Sequence, residues 1–213
     1  METPDLPGCG TLHADRSPSD IAGTLAAVRD CVRPEGPLRV LGLSLGGMVA
    51  WEWARRHPAE VAALVLINSS LGGWSPPWRR LRLAAAGQLL AASATADPLA
   101  RERRIHALNS NLPDQVELRA QAWAELARRQ PVLRGNVARQ ILAAVRFSAE
   151  PAPDVPLLVL ASARDGMVDP SASRAIAARV PGARLKEHPT AGHDLPLDDP
   201  DWVIARIREW LAP

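Results

Sequence analysis

Three short runs of apolar residues constrain the fold of this 213-residue chain more than any other feature. They lie at residues 38–43, 61–68 and 155–163, and a more polar run follows at residues 183–189. The first three are almost continuously apolar and of strand length, a pattern typical of strands covered on both faces. Segments with helical character separate the runs. The sequence therefore predicts an α/β fold with a mostly parallel sheet, right-handed crossovers and helices on both faces.

Helices are indicated between and after these runs. We predict them at residues 17–32, 44–56, 169–180 and 198–211. Ser17 followed by Pro18 has the residue types of an N-cap and a first helical position. Asp169 precedes Pro170 in the same way. The last segment is amphipathic, as expected of a helix that packs on a sheet.

Residues 72–153 interrupt the alternation of strands and helices. They contain no strand-like run, and their helical runs lie at residues 78–92, 98–108, 114–130 and 133–145. A helical insertion between two core strands is typical of a lid. We therefore predict a core formed by residues 1–71 and 154–213, and a helical lid formed by residues 72–153.

The segment Gly42-Leu43-Ser44-Leu45-Gly46 matches the pattern G-x-S-x-G and lies between a predicted strand and a predicted helix. This context presents a serine on a sharp turn at the end of a strand, where the glycines allow close backbone approach. A serine hydroxyl is a weak nucleophile and needs a base, which in turn needs an orienting acid. Ser44 is therefore the candidate nucleophile.

The candidate base and acid both follow predicted strands. His193 lies in the loop between the last strand and the last helix, and Asp165 comes directly after the third strand. Asp169 directly precedes Pro170, which favours a structural role as the N-cap of the next helix. We expect the other histidines to cap helices, lie at the surface or pack in the core; they are His13, His57, His106 and His188.

The chain order Ser44, Asp165, His193 is that of α/β-hydrolase-fold serine hydrolases with a helical lid, and the sequence resembles this superfamily over essentially its whole length. The segment S-A-R-D-G-M-V-D-P, residues 162–170, is similar to the superfamily's G-x-x-D-x-x-V-P segment, with Ser162 where glycine is usual. The A-G-H of residues 191–193 resembles its histidine loop. The overall pattern is similar to that of small bacterial carboxylesterases such as pimeloyl-carrier-protein methyl ester esterases.

The resemblance implies a serine hydrolase that cleaves a carboxylic ester or thioester. Ser44 would be acylated with His193 as the base, and the backbone N–H of Leu45 would hold the oxyanion. Haloalkane dehalogenases and epoxide hydrolases of this fold use an aspartate nucleophile, which Ser44 argues against. Two alternatives stay open: a C–C bond hydrolase, perhydrolase or acyltransferase on the same triad, and a catalytically impaired form with a binding role.

The N-terminal segment D-L-P-G-C-G, residues 5–10, resembles the D-x-P-G-x-G turn that follows the fourth strand of this fold, with Cys9 where histidine or another polar residue is common. The resemblance implies that strands one to three, and with them the second oxyanion donor, are missing. The strand at residues 38–43 would then be an uncovered edge, which favours pairing with another molecule. We expect either a misassigned start codon or a short form that forms a homo-oligomer through this edge.

The predicted lid is rich in arginine. It has 12 Arg and no Lys against 6 acidic residues, whereas the whole chain has a net charge of only +2. Arginine binds carboxylates and phosphates, so we expect an anionic ester or thioester, including substrates linked to a carrier protein or to coenzyme A. The alternative is that these arginines only face water. The candidate substrate-binding residues are Trp74, Trp78, Arg79 and Arg80.

Several other functions and locations are not indicated by the sequence. The small net charge does not suggest nucleic acid binding, and no apolar run reaches the ~18 residues of a membrane span. Cys9 and Cys31 form no disulfide framework, and no signal peptide is visible, so we expect a cytoplasmic protein. Neither a metal-ligand spacing nor a nucleotide-binding motif is found, so no cofactor is expected.

Overall fold

The computed structural model describes residues 2–32 and 34–212. Its strands form one sheet in the order β1 (Leu38–Leu43), β2 (Val61–Ile67), β3 (Leu157–Ser162) and β4 (Arg184–His188). All three pairings, β1 with β2, β2 with β3 and β3 with β4, are parallel. The predicted α/β class and parallel sheet are confirmed.

The α-helices are α1 (Ile21–Cys31), α2 (Leu45–Arg56), α3 (Pro77–Arg80), α4 (Leu83–Ala94), α5 (Pro98–Asn109), α6 (Val116–Arg129), α7 (Arg134–Arg146), α8 (Pro170–Arg179), α9 (Leu195–Asp198) and α10 (Pro200–Leu211). Helices α3 to α7 all lie between β2 and β3, in the segment predicted to be a lid. Across the described ranges, no helix has the length and apolar character needed to cross a membrane.

The two faces of the sheet are covered by different helices. Because successive side chains of a strand point to opposite faces, Leu64 and Leu66 pack with α1, α2 and α8, whereas Val65 and Ile67 pack with α9 and α10. All four side chains are buried. Burying each such side chain contributes about 1.5–3 kcal/mol, which explains why β2 is continuously apolar.

The start of α1 differs from the prediction. The helix begins at Ile21, and its N-cap is Asp20, whose Oδ1 accepts a hydrogen bond from the Gly23 N–H at 2.7 Å. Ser17 has another role: its hydroxyl donates to the carbonyl of Pro7 at 2.7 Å, and its N–H donates to Asn136 Oδ1 in α7 at 3.0 Å. The predicted start at Ser17 was wrong because these long-range contacts hold Ser17 in the loop.

The first predicted lid helix is also divided in the structure. Residues 78–92 were expected to form one helix, but the chain becomes extended at Leu81 between α3 and α4. At this break, the Arg82 N–H donates to the carbonyl of Met167, and the Asp169 N–H donates to the carbonyl of Arg79. The break therefore lets the lid bond to the loop that follows β3.

Strand β1 is the edge of the sheet in the described part of the chain. It pairs with β2 on one side, and its other side has no strand partner among the described residues. Leu41, near the middle of β1, is 49% exposed. The structure thus shows an open apolar edge at the strand that leads to Ser44.

Candidate active site

Ser44 lies on a strained turn between β1 and α2. Its backbone has φ 52° and ψ −116°, outside the regions that most residues adopt; such a conformation costs on the order of 1–3 kcal/mol and persists only where the surroundings enforce it. The Ser44 N–H donates to the carbonyl of Ile67 at 2.9 Å, and Ser69 Oγ donates to the carbonyl of Ser44 at 2.9 Å. A Cβ atom at Gly42 would lie 2.3 Å from the carbonyl oxygen of Gly46, so this position requires glycine.

The first N–H groups of α2 lie beside Ser44. Gly47 N–H donates to the carbonyl of Ser44, whereas the N–H of Leu45 has no acceptor among the described residues. The N-terminus of a helix carries partial positive charge and points free N–H groups outward. Leu45 N–H is thus available to an anionic oxygen that develops next to Ser44.

Asp165 and His193 form a buried hydrogen-bonded pair. The distance from Asp165 Oδ2 to His193 Nδ1 is 2.8 Å, and both residues are 3% exposed. The other carboxylate oxygen of Asp165 accepts from the N–H groups of Met167 and Val168, at 2.7 and 2.9 Å. A carboxylate can only accept, so His193 Nδ1 donates the proton and Nε2 keeps its lone pair for chemistry.

The structure joins the predicted acid to the predicted base and leaves the Ser44 hydroxyl unpaired. Ser44 Oγ makes no hydrogen bond to any described residue, His193 included. Hydrogen bonds to a nucleophile are often long in a free enzyme and tighten when substrate binds. Ser44, Asp165 and His193 each follow the carboxyl end of a strand, at β1, β3 and β4 respectively.

Asp169 has the structural role that was predicted for it. Its Oδ1 accepts a hydrogen bond from the Ser171 N–H at 2.9 Å at the start of α8, and its Oδ2 lies 3.3 Å from Arg82 Nη2. Hydrogen bonding to Ser171, assisted by Arg82 and Arg79, lowers the pKa of the Asp169 carboxyl. Asp169 is therefore a helix cap that also bonds to Arg79 and Arg82 in the segment predicted to be a lid.

Asn68, which the sequence reasoning missed, fixes the histidine loop to the sheet. It is buried with φ 44°, and its Nδ2 donates to Ser162 Oγ at 2.9 Å and to the carbonyl of His193 at 2.7 Å. Its Oδ1 accepts from the Ser162 N–H at 2.7 Å. Two features of the sequence could have indicated this role of Asn68. Asn68 is a polar residue at the end of an otherwise apolar run, and Ser162 replaces the glycine that is usual at its position.

The other histidines make local contacts elsewhere. His188 Nε2 lies 3.1 Å from Asp199 Oδ2, and the ring packs edge-on against Trp202. His13 bonds to the carbonyl of Gly10, His57 ends α2, and His106 is buried in α5. Within residues 2–32 and 34–212, no group of three or more His, Cys, Asp or Glu side chains is arranged to hold a metal ion.

The four candidate substrate-binding residues do not form one cluster. Trp74 is buried and packs edge-on against Trp51 at 5.1 Å, while Trp78 is 64% exposed. Arg79 is exposed, and Arg80 Nη2 donates to the carbonyl of Ala144 in α7. Burial lowers the pKa of Arg80. As far as the described residues go, no hydrogen bond or ring contact joins these four side chains to Ser44, Asp165 or His193.

Comparison with known proteins identifies the family to which this fold belongs. Residues 2–206 match the model of the "Alpha/beta hydrolase family". The chain is 33% identical to the pimeloyl-[acyl-carrier protein] methyl ester esterase of Aromatoleum aromaticum over 224 aligned positions, which cover 98% of this chain and 86% of that protein. The chain belongs to the alpha/beta hydrolase family. The family resemblance inferred from the sequence motifs is confirmed, and this α/β hydrolase is an enzyme of the hydrolase class.

Solved structures show the same fold. A hydrolase from Pseudomonas aeruginosa PA01 superposes on this α/β hydrolase with a TM-score of 0.75 at 24% identity, covering 98% of this chain and 78% of that one. A thermophilic esterase from Thermogutta terrifontis gives a TM-score of 0.72 at 25% identity, again over 98% and 78% of the two chains. The arrangement of β1 to β4 and their helices is therefore shared with solved α/β hydrolases.

Proposed function

We propose that this α/β hydrolase is a serine esterase that cleaves a carboxylic ester or thioester through an acyl-enzyme formed on Ser44. The observation that supports this most is the 2.8 Å bond between buried Asp165 and His193, at the same sheet edge as the strained turn of Ser44. Its esterase relatives support the choice of an ester bond.

The proposed reaction assigns one role to each residue. His193 Nε2 takes the proton of Ser44 Oγ as this oxygen attacks the ester carbonyl, and Leu45 N–H donates to the oxyanion. His193 then protonates the leaving alcohol or thiol and later activates water to hydrolyse the acyl-enzyme. Asp165 orients the imidazole and stabilises its charged form. In enzymes of this kind, loss of a single oxyanion donor costs about 10²–10³ in turnover.

We further propose an anionic substrate, carried as an ester or thioester on a small acid, a carrier protein or coenzyme A. Some lid arginines pair with acids, such as Arg103 with Glu117 and Arg129 with Glu125. Others are exposed and have no carboxylate partner among the described residues, namely Arg104, Arg134 and Arg146. Arginine in this state is free to bind carboxylate or phosphate. One relative acts, by its name, on a carrier-linked methyl ester.

Two properties of the molecule accompany this proposal. The open edge of β1 supports self-association of the chain, because an unpaired strand edge offers hydrogen-bonding groups to a second strand.

A cytoplasmic location is supported by Cys9 and Cys31, both of which are free thiols in the structure.

The test of the proposed activity uses triad variants and one matched control. Ser44→Ala, His193→Ala and Asp165→Asn should each lower hydrolysis of a short p-nitrophenyl ester by at least about 10³-fold. Asp169→Asn should keep activity and lose only a little stability, because asparagine caps a helix about as well as aspartate and only the ion pair with Arg82 is lost. Ser44→Ala should also abolish labelling by a fluorophosphonate probe. Absence of labelling in the wild-type protein would favour a binding role, and loss of activity in Asp169→Asn with retention in Asp165→Asn would reverse the acid assignment.

A further inference from the structure

A segment of the lid lies against both loops that bear catalytic residues. We call residues 109–111, at the end of α5 and just beyond it, the lid loop. Gly192 is buried beside it: a Cβ atom at Gly192 would lie 2.8 Å from the Asn109 carbonyl oxygen and 3.0 Å from the Asn111 nitrogen. The residue directly before His193 is therefore in close contact with the lid backbone.

The carboxylate of Asp198 joins the lid loop to the histidine loop. Its Oδ2 accepts from the Gly192 N–H at 2.7 Å and from the Asn111 N–H at 2.9 Å, and its Oδ1 accepts from the Ser110 hydroxyl. These are charge-assisted bonds, which are stronger than bonds between neutral groups. One carboxylate thus fixes the distance between the two loops.

The side chain of Asn111 adds a second connection. Its Nδ2 donates to the carbonyl of Thr190 at 2.9 Å and to the carbonyl of Arg164 at 3.2 Å. Thr190 precedes His193 by three residues, and Arg164 directly precedes Asp165. The Asp194 N–H also donates to the carbonyl of Asn109 at 2.7 Å. The lid loop therefore bonds on both sides of His193 and next to Asp165.

We propose that Asn111 and Asp198 are positioning residues for His193, so that the lid holds the catalytic base in place. The inference rests on the proposed function, because it assumes that His193 is the base. Asn68 holds the carbonyl of His193 from the sheet side, and Asp198, which is itself bonded to the lid loop, holds Gly192. A displacement of about 1 Å in a catalytic group can cost about 10²-fold in rate, so loss of the lid contacts should reduce turnover without contact between these side chains and substrate.

The chain offers matched controls for both residues. Asn109→Ala removes an amide that donates only to the carbonyl of Ile105 in its own helix, whereas Asn111→Ala removes the bonds to both catalytic loops. Asp201→Asn alters an exposed carboxylate in the first turn of α10, which makes no hydrogen bond or ion pair with any described residue. The Asp201 control therefore removes a negative charge from the same segment without loosening Gly192.

The experiment measures kcat and KM for a short p-nitrophenyl ester at a temperature where every variant is folded by circular dichroism. Asn111→Ala and Asp198→Asn should lower kcat about tenfold or more and leave KM within about twofold. Asn109→Ala and Asp201→Asn should keep kcat within about twofold of the wild-type value. Equal kcat in all four variants, with only the melting temperature lowered, would mean that the contacts merely anchor the lid and would overturn the proposal.

A second readout separates this inference from the proposed function. The proton between His193 Nδ1 and Asp165 should give a low-field ¹H resonance that is absent in His193→Ala. Asn111→Ala and Asp198→Asn should shift or broaden this resonance, whereas the two controls should not. A wild-type protein without esterase activity contradicts the proposed function, and the resonance still tests the positioning. An unchanged resonance in both Asn111→Ala and Asp198→Asn would contradict the positioning.

Discussion

At the scale of single residues, the site depends on buried polar groups with complete sets of partners. Asp165 uses both carboxylate oxygens, and Asn68 uses both ends of its amide. Such groups are costly to leave unpaired in a dry environment, about 1–3 kcal/mol each, so they define one geometry strongly. The site is therefore more sensitive to the loss of a hydrogen-bond partner than to small changes of volume.

Removal of the Asn68 amide is expected to destabilise the protein and slow catalysis. Asn68→Ala leaves the Ser162 N–H and the carbonyl of His193 without this partner, and we expect a loss of roughly 3 kcal/mol in the free energy of unfolding. Urea denaturation followed by circular dichroism measures it. Because Asn68 has φ 44°, Asn68→Gly is needed as well: it relieves the backbone strain but lacks the amide. Wild-type stability in Asn68→Gly would show that the amide contributes little.

The sequence predicted that Asp165 and His193 lie together, but not the residues that hold them in place. Asp165 and His193 follow strands, and the carboxyl ends of parallel strands meet at one edge of the sheet, so local patterns were enough to predict that they lie together. Asn68 bonds to partners 94 and 125 residues away. Such pairings depend on how the loops are placed in space, and the placement of loops cannot be read from periodicity or spacing in the sequence.

At the scale of elements, helix α5 carries a buried histidine, His106, close to the lid loop at its end. His106 is 1% exposed, its ring lies 5.7 Å from that of Trp123 in α6, and its Nε2 is buried without a partner among the described residues. Burial and the nearby Arg119 lower the pKa of His106, and Asp198 opposes this shift. The folded lid therefore favours the neutral imidazole.

Stability should fall on mild acidification because of His106. In the unfolded chain this imidazole takes up a proton near pH 6.5, whereas in the folded chain it does so only at lower pH. Between these two values the unfolded state binds more protons, so the free energy of unfolding decreases as the pH falls below about 6.5. Melting temperatures measured from pH 8 to pH 5 should show a shallower decline in His106→Gln. Identical slopes in His106→Gln and the wild-type protein would exclude His106 as the cause.

The open edge of β1 leads to a second prediction at the scale of elements. If the chain self-associates through β1, a lysine at Leu41 should reduce the association, because a charge on an edge strand opposes pairing. Light scattering coupled to size-exclusion chromatography should show a smaller mass for Leu41→Lys than for the wild type. Leu83→Lys, at an 80% exposed position in α4, is the control and should leave the mass unchanged. A wild-type monomer at every concentration would contradict association through this edge.

The element boundaries show where sequence reasoning fails. Helix α1 begins four residues after Ser17, and the predicted helix at residues 78–92 is broken near Leu81. In both cases the local residue types favour helix, but bonds to distant segments take the backbone groups instead. The order and type of the core elements were predictable because each has a clear pattern of apolar residues.

At the scale of the whole molecule, the charge is unevenly distributed along the chain. The arginine-rich segment predicted to be a lid is inserted in a mildly acidic remainder of the chain, and its lid loop bonds to the loops that bear Asp165 and His193. A surface of one sign near a cleft raises the local concentration of ligands of the opposite sign. The lid arginines could thus affect the rate of encounter without touching the reacting atoms.

This effect should depend on salt. For a monomethyl ester of a dicarboxylic acid, kcat/KM should exceed that of the uncharged dimethyl ester at low ionic strength. The advantage should decrease as salt is added, because charges are screened over about 10 Å at 0.1 M. Replacing the exposed, unpaired Arg104 and Arg134 by glutamine should reduce the advantage, whereas Arg128→Gln, at an arginine already paired with Glu125, should change it less. Equal values for the two esters at every ionic strength would leave the arginines without a role in substrate choice.

The contact of the lid loop with Gly192 also limits how this protein can be recombined with others. The two ends of the inserted segment meet, because the Ala149 N–H donates to the carbonyl of Gly72 at 3.1 Å, so a foreign cap could be spliced there without disturbing strand order. A chimaera made in this way would lack the partners of Asp198 and of Thr190, and its histidine loop would be free to move. A cap introduced from another protein should therefore keep residues 109–111 of this chain between its own helices, so that the bonds to the histidine loop are preserved.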